Sequence, residues 1–232
     1  MPKAIKKKVP KKTTNTEAQV KDRLSILKDT IRQRQKAVLK YGALILVVII
    51  AIPGFLLYDY SSRKKANVLE YEAYKIYYNL YQKQAVTRVD QYNKALDLFK
   101  KSYDTRKSPT ALFYIASCYY ELGRYDEALK TLKDFTLRYS NEEMFIPLAY
   151  EKMAMAYIRK GDTKEAMKTL EALYNLKGNI YKDFALMESA RLLEKEGKTE
   201  EAKKKYKELS EKFPNSPFKA EADEKLSEKK KG

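Results

Sequence analysis

Tryptophan and histidine are absent from the 232 residues, cysteine occurs once, and glycine and proline number seven each. Without histidine, and with one cysteine, most zinc sites and every Ser-His or Cys-His nucleophile arrangement are excluded. Cys118 cannot close an intramolecular disulfide, so a fold outside the cell has to rest on packing. It lies mid-helix among apolar neighbours, where a small buried hydrophobe is the ordinary reading and a reactive thiol the rival. Strand-like alternation is missing from Tyr71 onward. Apolar residues recur there every three or four positions, which predicts an all-α body. The sequence offers no nucleophile–base pair, phosphate loop or metal cluster, so neither an enzyme nor a bound cofactor is expected; carboxylate pairs among the 31 acids stay open.

Charge is missing in one place only. Residues 41–58 are eighteen consecutive positions without Asp, Glu, Lys or Arg, in a chain that is 34% charged. As a helix they span roughly 27 Å, close to the roughly 30 Å of bilayer hydrocarbon. A buried core helix is the alternative, but such helices keep a polar face, and positions 44–50 have none. The run therefore predicts one transmembrane helix. Residues 1–40 hold thirteen Lys or Arg against Glu17, Asp22 and Asp29. Arg63, Lys64 and Lys65 follow the run, preceded by Asp59. Positive residues resist transfer, which predicts a cytoplasmic amino terminus and a body outside, in a bacterial periplasm. Phe55, Leu56, Leu57 and Tyr58 stand where a small-x-small cleavage site would be, so the run reads as an uncleaved signal anchor in the inner membrane. Pro53 predicts a kink near residues 49–53. Tyr41, Tyr58 and Tyr60 suit the two interfaces.

Net charge is +17, of which the first forty residues carry +10. The anionic lipid surface is the expected partner of this arm. Nucleic acid is the rival for residues 6–8 and 11–12, but no base-reading motif accompanies them. Residues 1–16 read as a basic disordered tail and 17–40 as a basic amphipathic helix beside the membrane. In that helix Val20, Leu24, Leu27 and Ile31 lie opposite Arg23, Lys28, Arg32 and Arg34. Thr14 and Glu17 could form a capping box, and a short coiled coil is the alternative use of the apolar stripe. The anchor occupies 41–60 and a leading, degenerate helix pair 61–107.

Residues 108–232 carry the decisive pattern. Gly123 is followed by Glu127-Ala128, Gly161 by Glu165-Ala166, and Gly197 by Glu201-Ala202, with the glycines 38 and 36 residues apart. Each glycine ends one helix in the left-handed conformation and each Glu-Ala begins the next. Leu112, Ile115, Ala116, Tyr119 and Leu132 recur in register as Tyr150, Met153, Ala154, Tyr157 and Leu170, and again as Leu186, Ser189, Ala190, Leu193 and Tyr206. These residues resemble the tetratricopeptide repeat, a helix-turn-helix unit of about 34 residues. Phe135, Leu173 and Leu209 depart from it, since the pattern prefers small residues there. The leading pair lacks the turn glycine. After Pro214 a last helix, rich in Lys and Glu, reads as a solvent-facing cap.

A basic arm, one span and such repeats are together similar to the YfgM family of ancillary Sec translocon subunits. The resemblance implies a scaffold beside the export channel, with translocon subunits, periplasmic chaperones or client peptides as partners. A division or envelope-assembly scaffold binding folded partners is the alternative. Solenoids expose a concave surface built from their first helices. The glycine register places Phe113, Tyr114 and Tyr120, then Glu151, Lys152, Met155 and Ile158, then Phe184, Met187, Arg191 and Glu194 there. Such a groove suits an extended or helical peptide, and packing against neighbouring helices is the competing use of the same residues. Tyr71, Tyr74, Tyr78 and Tyr81 form a helical stripe bordered by Tyr77. It serves either as core or as a docking face, including for self-association.

Overall fold

The computed structural model describes residues 16–80 and 86–227. The expected tail, Thr14 of the capping box and Tyr81 lie outside them. The chain divides into two units, residues 1–59 and 60–232.

In the first unit, α1 (Thr16–Gln33) is followed after Arg34 by the start of α2 (Gln35–Tyr77). Val20, Leu24, Leu27 and Ile31 of α1 are all exposed. The apolar window within α2 is 0% buried. Helix α2 runs unbroken through Pro53, which leaves the Ile49 carbonyl without its usual donor. The boundaries expected near residues 40 and 60 are not helix ends: α2 is 43 residues long, and residues 60–77 of it belong to the second unit.

The second unit is a series of helix pairs. Residues 60–77 of α2 pair with α3 (Arg88–Thr105), α4 (Pro109–Glu121) with α5 (Tyr125–Arg138), α6 (Phe145–Lys160) with α7 (Thr163–Tyr174), and α8 (Lys182–Lys195) with α9 (Thr199–Lys212). Helix α10 (Lys219–Ser227) closes the series against α9. Small residues let each pair approach closely. Ala95, Ala128, Ala166 and Ala202 of the second helices, and Ala73, Ala116, Ala154 and Ala190 of the first, are buried to 0% exposure. Four residues past each second-helix alanine stands a large side chain, Phe99, Leu132, Leu170 or Tyr206, each fully enclosed. Each such burial stabilises by about 2 kcal/mol.

The three glycines adopt φ of 73°, 77° and 76°. At each turn the glycine N–H donates three residues back and the next N–H five residues back, as in Gly123 to Tyr120 (2.9 Å) and Arg124 to Tyr119 (2.8 Å). This closes the carbonyls left open at a helix end. The leading pair makes the same turn without glycine. Asn79 has φ 54°, its N–H donates to Ile76, and Leu80 N–H donates to Lys75. Asparagine is the side chain that best tolerates that conformation after glycine.

The larger residues at the departing positions have a use. Phe135, Leu173 and Leu209 are each at 0% exposure, and Phe135 meets Phe113 within its own pair and Phe145 across the junction to the next. The leading pair keeps a small residue at the matching place, Ser102, whose hydroxyl donates to the Ala66 carbonyl at 3.0 Å. Cys118 is fully buried with Ile115, Ala95 and Phe99, and burial pushes its thiol well above the ordinary range.

Candidate protein-interaction surface

The first helices α4, α6 and α8 place the expected groove residues in three different settings. Tyr120 of α4 is half-buried between two cations from α6. Lys152 Nζ lies 4.7 Å from its ring centre, Arg159 stands near its hydroxyl, and Tyr125 packs at 5.5 Å. Burial pushes the Tyr120 hydroxyl upward, against the pull of Arg159. Met155 and Ile158 are half-buried at the border of the core. Glu151 is half-buried as well. Burial raises its carboxyl above the usual range, Lys152 opposes that, and Glu121 and Glu188 add to it. These five residues, with Tyr181 nearby, form the part of the expected groove that presents surface.

A second group does not. Phe113 (6% exposed), Phe184 (9%) and Met187 (0%) are core residues rather than groove walls. Phe113 is held by Phe135 and Phe145, Phe184 packs near Phe218, and Met187 sits with Leu186, Ala190 and Tyr206. In a short array the first-helix side chains nearest a junction meet the neighbouring helix before they meet solvent. Arg191 and Glu194 are committed to the carboxy-terminal end. Arg191 donates to Glu188 and, at 2.6 and 2.7 Å, to Glu221 of α10; Glu194 accepts from Tyr206 at 3.0 Å and lies 3.6 Å from Lys225.

Tyr114 belongs to a third setting, an aromatic cluster joining α2, α3 and α4. It stacks on Phe99 at 5.0 Å, meets Tyr74 at 5.7 Å and Tyr77 at 5.3 Å edge-on, and its hydroxyl shares a 3.0 Å hydrogen bond with that of Tyr78. Tyr74 and Tyr78 pack 4.5 Å apart yet keep 39% and 48% exposure. Tyr77, which the stripe merely bordered, is the more enclosed; burial drives its hydroxyl, like that of Tyr114, far above the ordinary range. Tyr71 stands apart at 61% exposure under the Lys75 ammonium. Buried Ser117, a position the groove register passed over, has a hydroxyl without a hydrogen-bond partner among the described residues. Its spacing from Phe113 and Tyr120, four and three residues, was the available signal. No group of metal-binding side chains occurs among the described residues.

Comparison with known families matches residues 148–180 and 184–216 to two tetratricopeptide repeat models. This is a tetratricopeptide repeat protein. The two matches cover α6 with α7 and α8 with α9, the pairs carrying Gly161 and Gly197. Residues 66–143 match the model of anaphase-promoting complex, cyclosome, subunit 3, which takes in the leading pair with its Asn79 turn. No curated protein matches the sequence. Among solved structures, a putative kinesin light chain of Podosopora anserina with nearly identical TPR-like repeats is 16% identical, covers 71% of this chain and 84% of its own, and superposes with a TM-score of 0.53. It shares the fold. MamA is 17% identical over 59% of this chain and 75% of its own, at 0.49. The TPR2AB domain of yeast Sti1, solved in complex with pHSP90, is 23% identical over 70% and 71%, at 0.42. Tetratricopeptide domains are scaffolds for protein–protein interaction and are typically not enzymes.

Proposed function

We propose that the chain is a single-pass membrane scaffold that presents its tetratricopeptide domain to other proteins on the non-cytoplasmic side of a bacterial inner membrane. One observation carries this reading: the apolar window of α2 is uncovered along its whole length, in a chain whose other unit is built to bind proteins. Leaving that much apolar side chain in water is unfavourable, and lipid removes the cost. The basic residues of 1–40 orient the chain with its amino terminus in the cytoplasm. The more specific version, supported by the likeness of the arrangement to the YfgM family, is service at the Sec translocon, with a client or chaperone segment on Tyr120, Glu151, Lys152, Met155 and Ile158. The apolar Met155 and Ile158 would take side chains of an extended or helical peptide, and Tyr120 with its two cations would fix its polar groups.

In-cell crosslinking from Tyr120 and Met155 tests this. Translocon subunits, chaperones or exported chains should be captured, and capture should be lost in a Tyr120→Glu, Met155→Glu double variant of unchanged helicity. Undiminished capture removes the groove from the reading. Capture of division proteins alone transfers the scaffold to envelope assembly. Digestion of residues 1–40, with the body spared, by protease added to spheroplasts would reverse the topology.

A further inference from the structure

Helix α2 has a face in the second unit that no other element among the described residues covers. Ala66 and Ala73 are buried at 4% and 0% exposure, and the Ala66 carbonyl accepts from Ser102 of α3. These contacts fix which side of the helix points away. On that side Tyr60 (67% exposed), Arg63, Lys64, Asn67, Val68 (56%) and Tyr71 (61%) follow at three- and four-residue steps, with Lys65 on the flank. The face carries cations and tyrosines. Of the acids at its two ends, Asp59 precedes it and Glu72 is paired with Lys75 at 2.8 Å. The face begins two positions after the apolar run ends.

Cations here run against the rule that orients the chain, since positive residues resist passage to the far side. A docking function accounts for them. We propose that this face of α2, from Tyr60 to Tyr71, docks on the phosphate headgroups of an anionic phospholipid leaflet. The inference rests on the membrane-anchored reading and adds the lipid class that the outer end of the anchor recognises. Charge complementarity selects the occupant. The lysine ammonium groups meet phosphate within the reach of the surface potential, and tyrosine suits the layer where hydrocarbon gives way to water. Residues 60–71 rise roughly 16 Å as a helix, so the turns next to the apolar run lie within reach of the headgroups.

The full chain with Asn67→Cys, labelled with a fluorophore, tests the proposal. Cys118 is buried with a raised thiol pKa and does not compete for the label. The labelled chain is placed in phosphatidylcholine vesicles with or without phosphatidylglycerol, both containing a headgroup-nitroxide lipid, and insertion is read separately by flotation. The expected result is flotation in both and stronger quenching in the anionic vesicles. A label at Lys204→Cys on α9 should respond to neither. In a Lys64→Gln, Lys65→Gln variant the chain should still float, while headgroup occupancy falls roughly thirtyfold, as two lysines at about 1 kcal/mol each imply. Equal quenching in neutral and anionic vesicles overturns headgroup recognition and leaves the anchor intact. So does a label response without vesicles that grows with protein concentration, which would assign the face to a second copy. Failure to float in either vesicle overturns the anchored reading and this inference with it.

Discussion

Residues 41–58 and the repeat helices both carry long apolar side chains and dispose of them in opposite ways. In the repeats, Leu132, Leu170 and Leu173 are at 0% exposure; in the run, Leu46, Ile50 and Leu57 stand at 60%, 65% and 70%. The difference lies in pattern rather than amount. An apolar stripe with a polar back matches another helix, and every such stripe from α3 to α9 has found one. The run is apolar on all sides, and among the described residues no helix covers it.

The largest expected effect breaks that comparison directly. A Val47→Arg, Ile50→Arg double variant should abolish membrane association in flotation and alkaline extraction, because each arginine costs about 2.5–3.5 kcal/mol at the centre of a span. Next, Leu132→Ala or Leu170→Ala should cost about 2–5 kcal/mol in a denaturant melt of the repeat domain, whereas Leu46→Ala should leave that melt unchanged. Equal effects at the two places would erase the distinction. A finer contrast runs between the leading turn and the others. Gly161→Ala should destabilise by about 1–2 kcal/mol through its φ of 77°, while Asn79→Gly should raise the melting midpoint.

The smallest effect concerns Glu151. Burial raises its pKa, so the folded state holds the proton more tightly than the unfolded chain does. Its contribution is intact below the ordinary carboxylate range and is lost as pH rises through the raised value, so ionised Glu151 weakens the fold at neutral pH. Glu151→Gln should therefore melt at a higher temperature than the parent at pH 7, with the gain gone at about pH 4. A gain independent of pH would trace to packing instead.

The repeat region was legible because three features coincide: a glycine that can turn left, an acid in the next helix's first turn, and an alanine small enough for close approach. The leading pair was expected, and only the residue that makes its turn was hidden, because asparagine serves in place of glycine. Phe99, four residues after Ala95, already repeated the Ala128–Leu132 spacing and was the signal for the pair. The setting of the expected groove residues was legible only in part. Phe113, Phe184 and Met187 have the spacing of groove residues, but a side chain's row on a helix does not say how near the next helix stands. The extent of α2 was hidden for another reason. The charges at residues 59–65 end the apolar run, but a change of side-chain polarity does not by itself end a helix, and α2 continues to Tyr77.

Helix α10 has an effect that reaches beyond one molecule. Its nine residues bring Ala222 and Leu226 onto the last apolar surface, with Phe218 just ahead of the helix, and Glu221 neutralises Arg191 at the rim. A stack of like units ending in a bare sticky face would recruit the front of another copy and grow into a filament. Helix α10 covers that face, so a further unit stacking against α9 would first have to displace it.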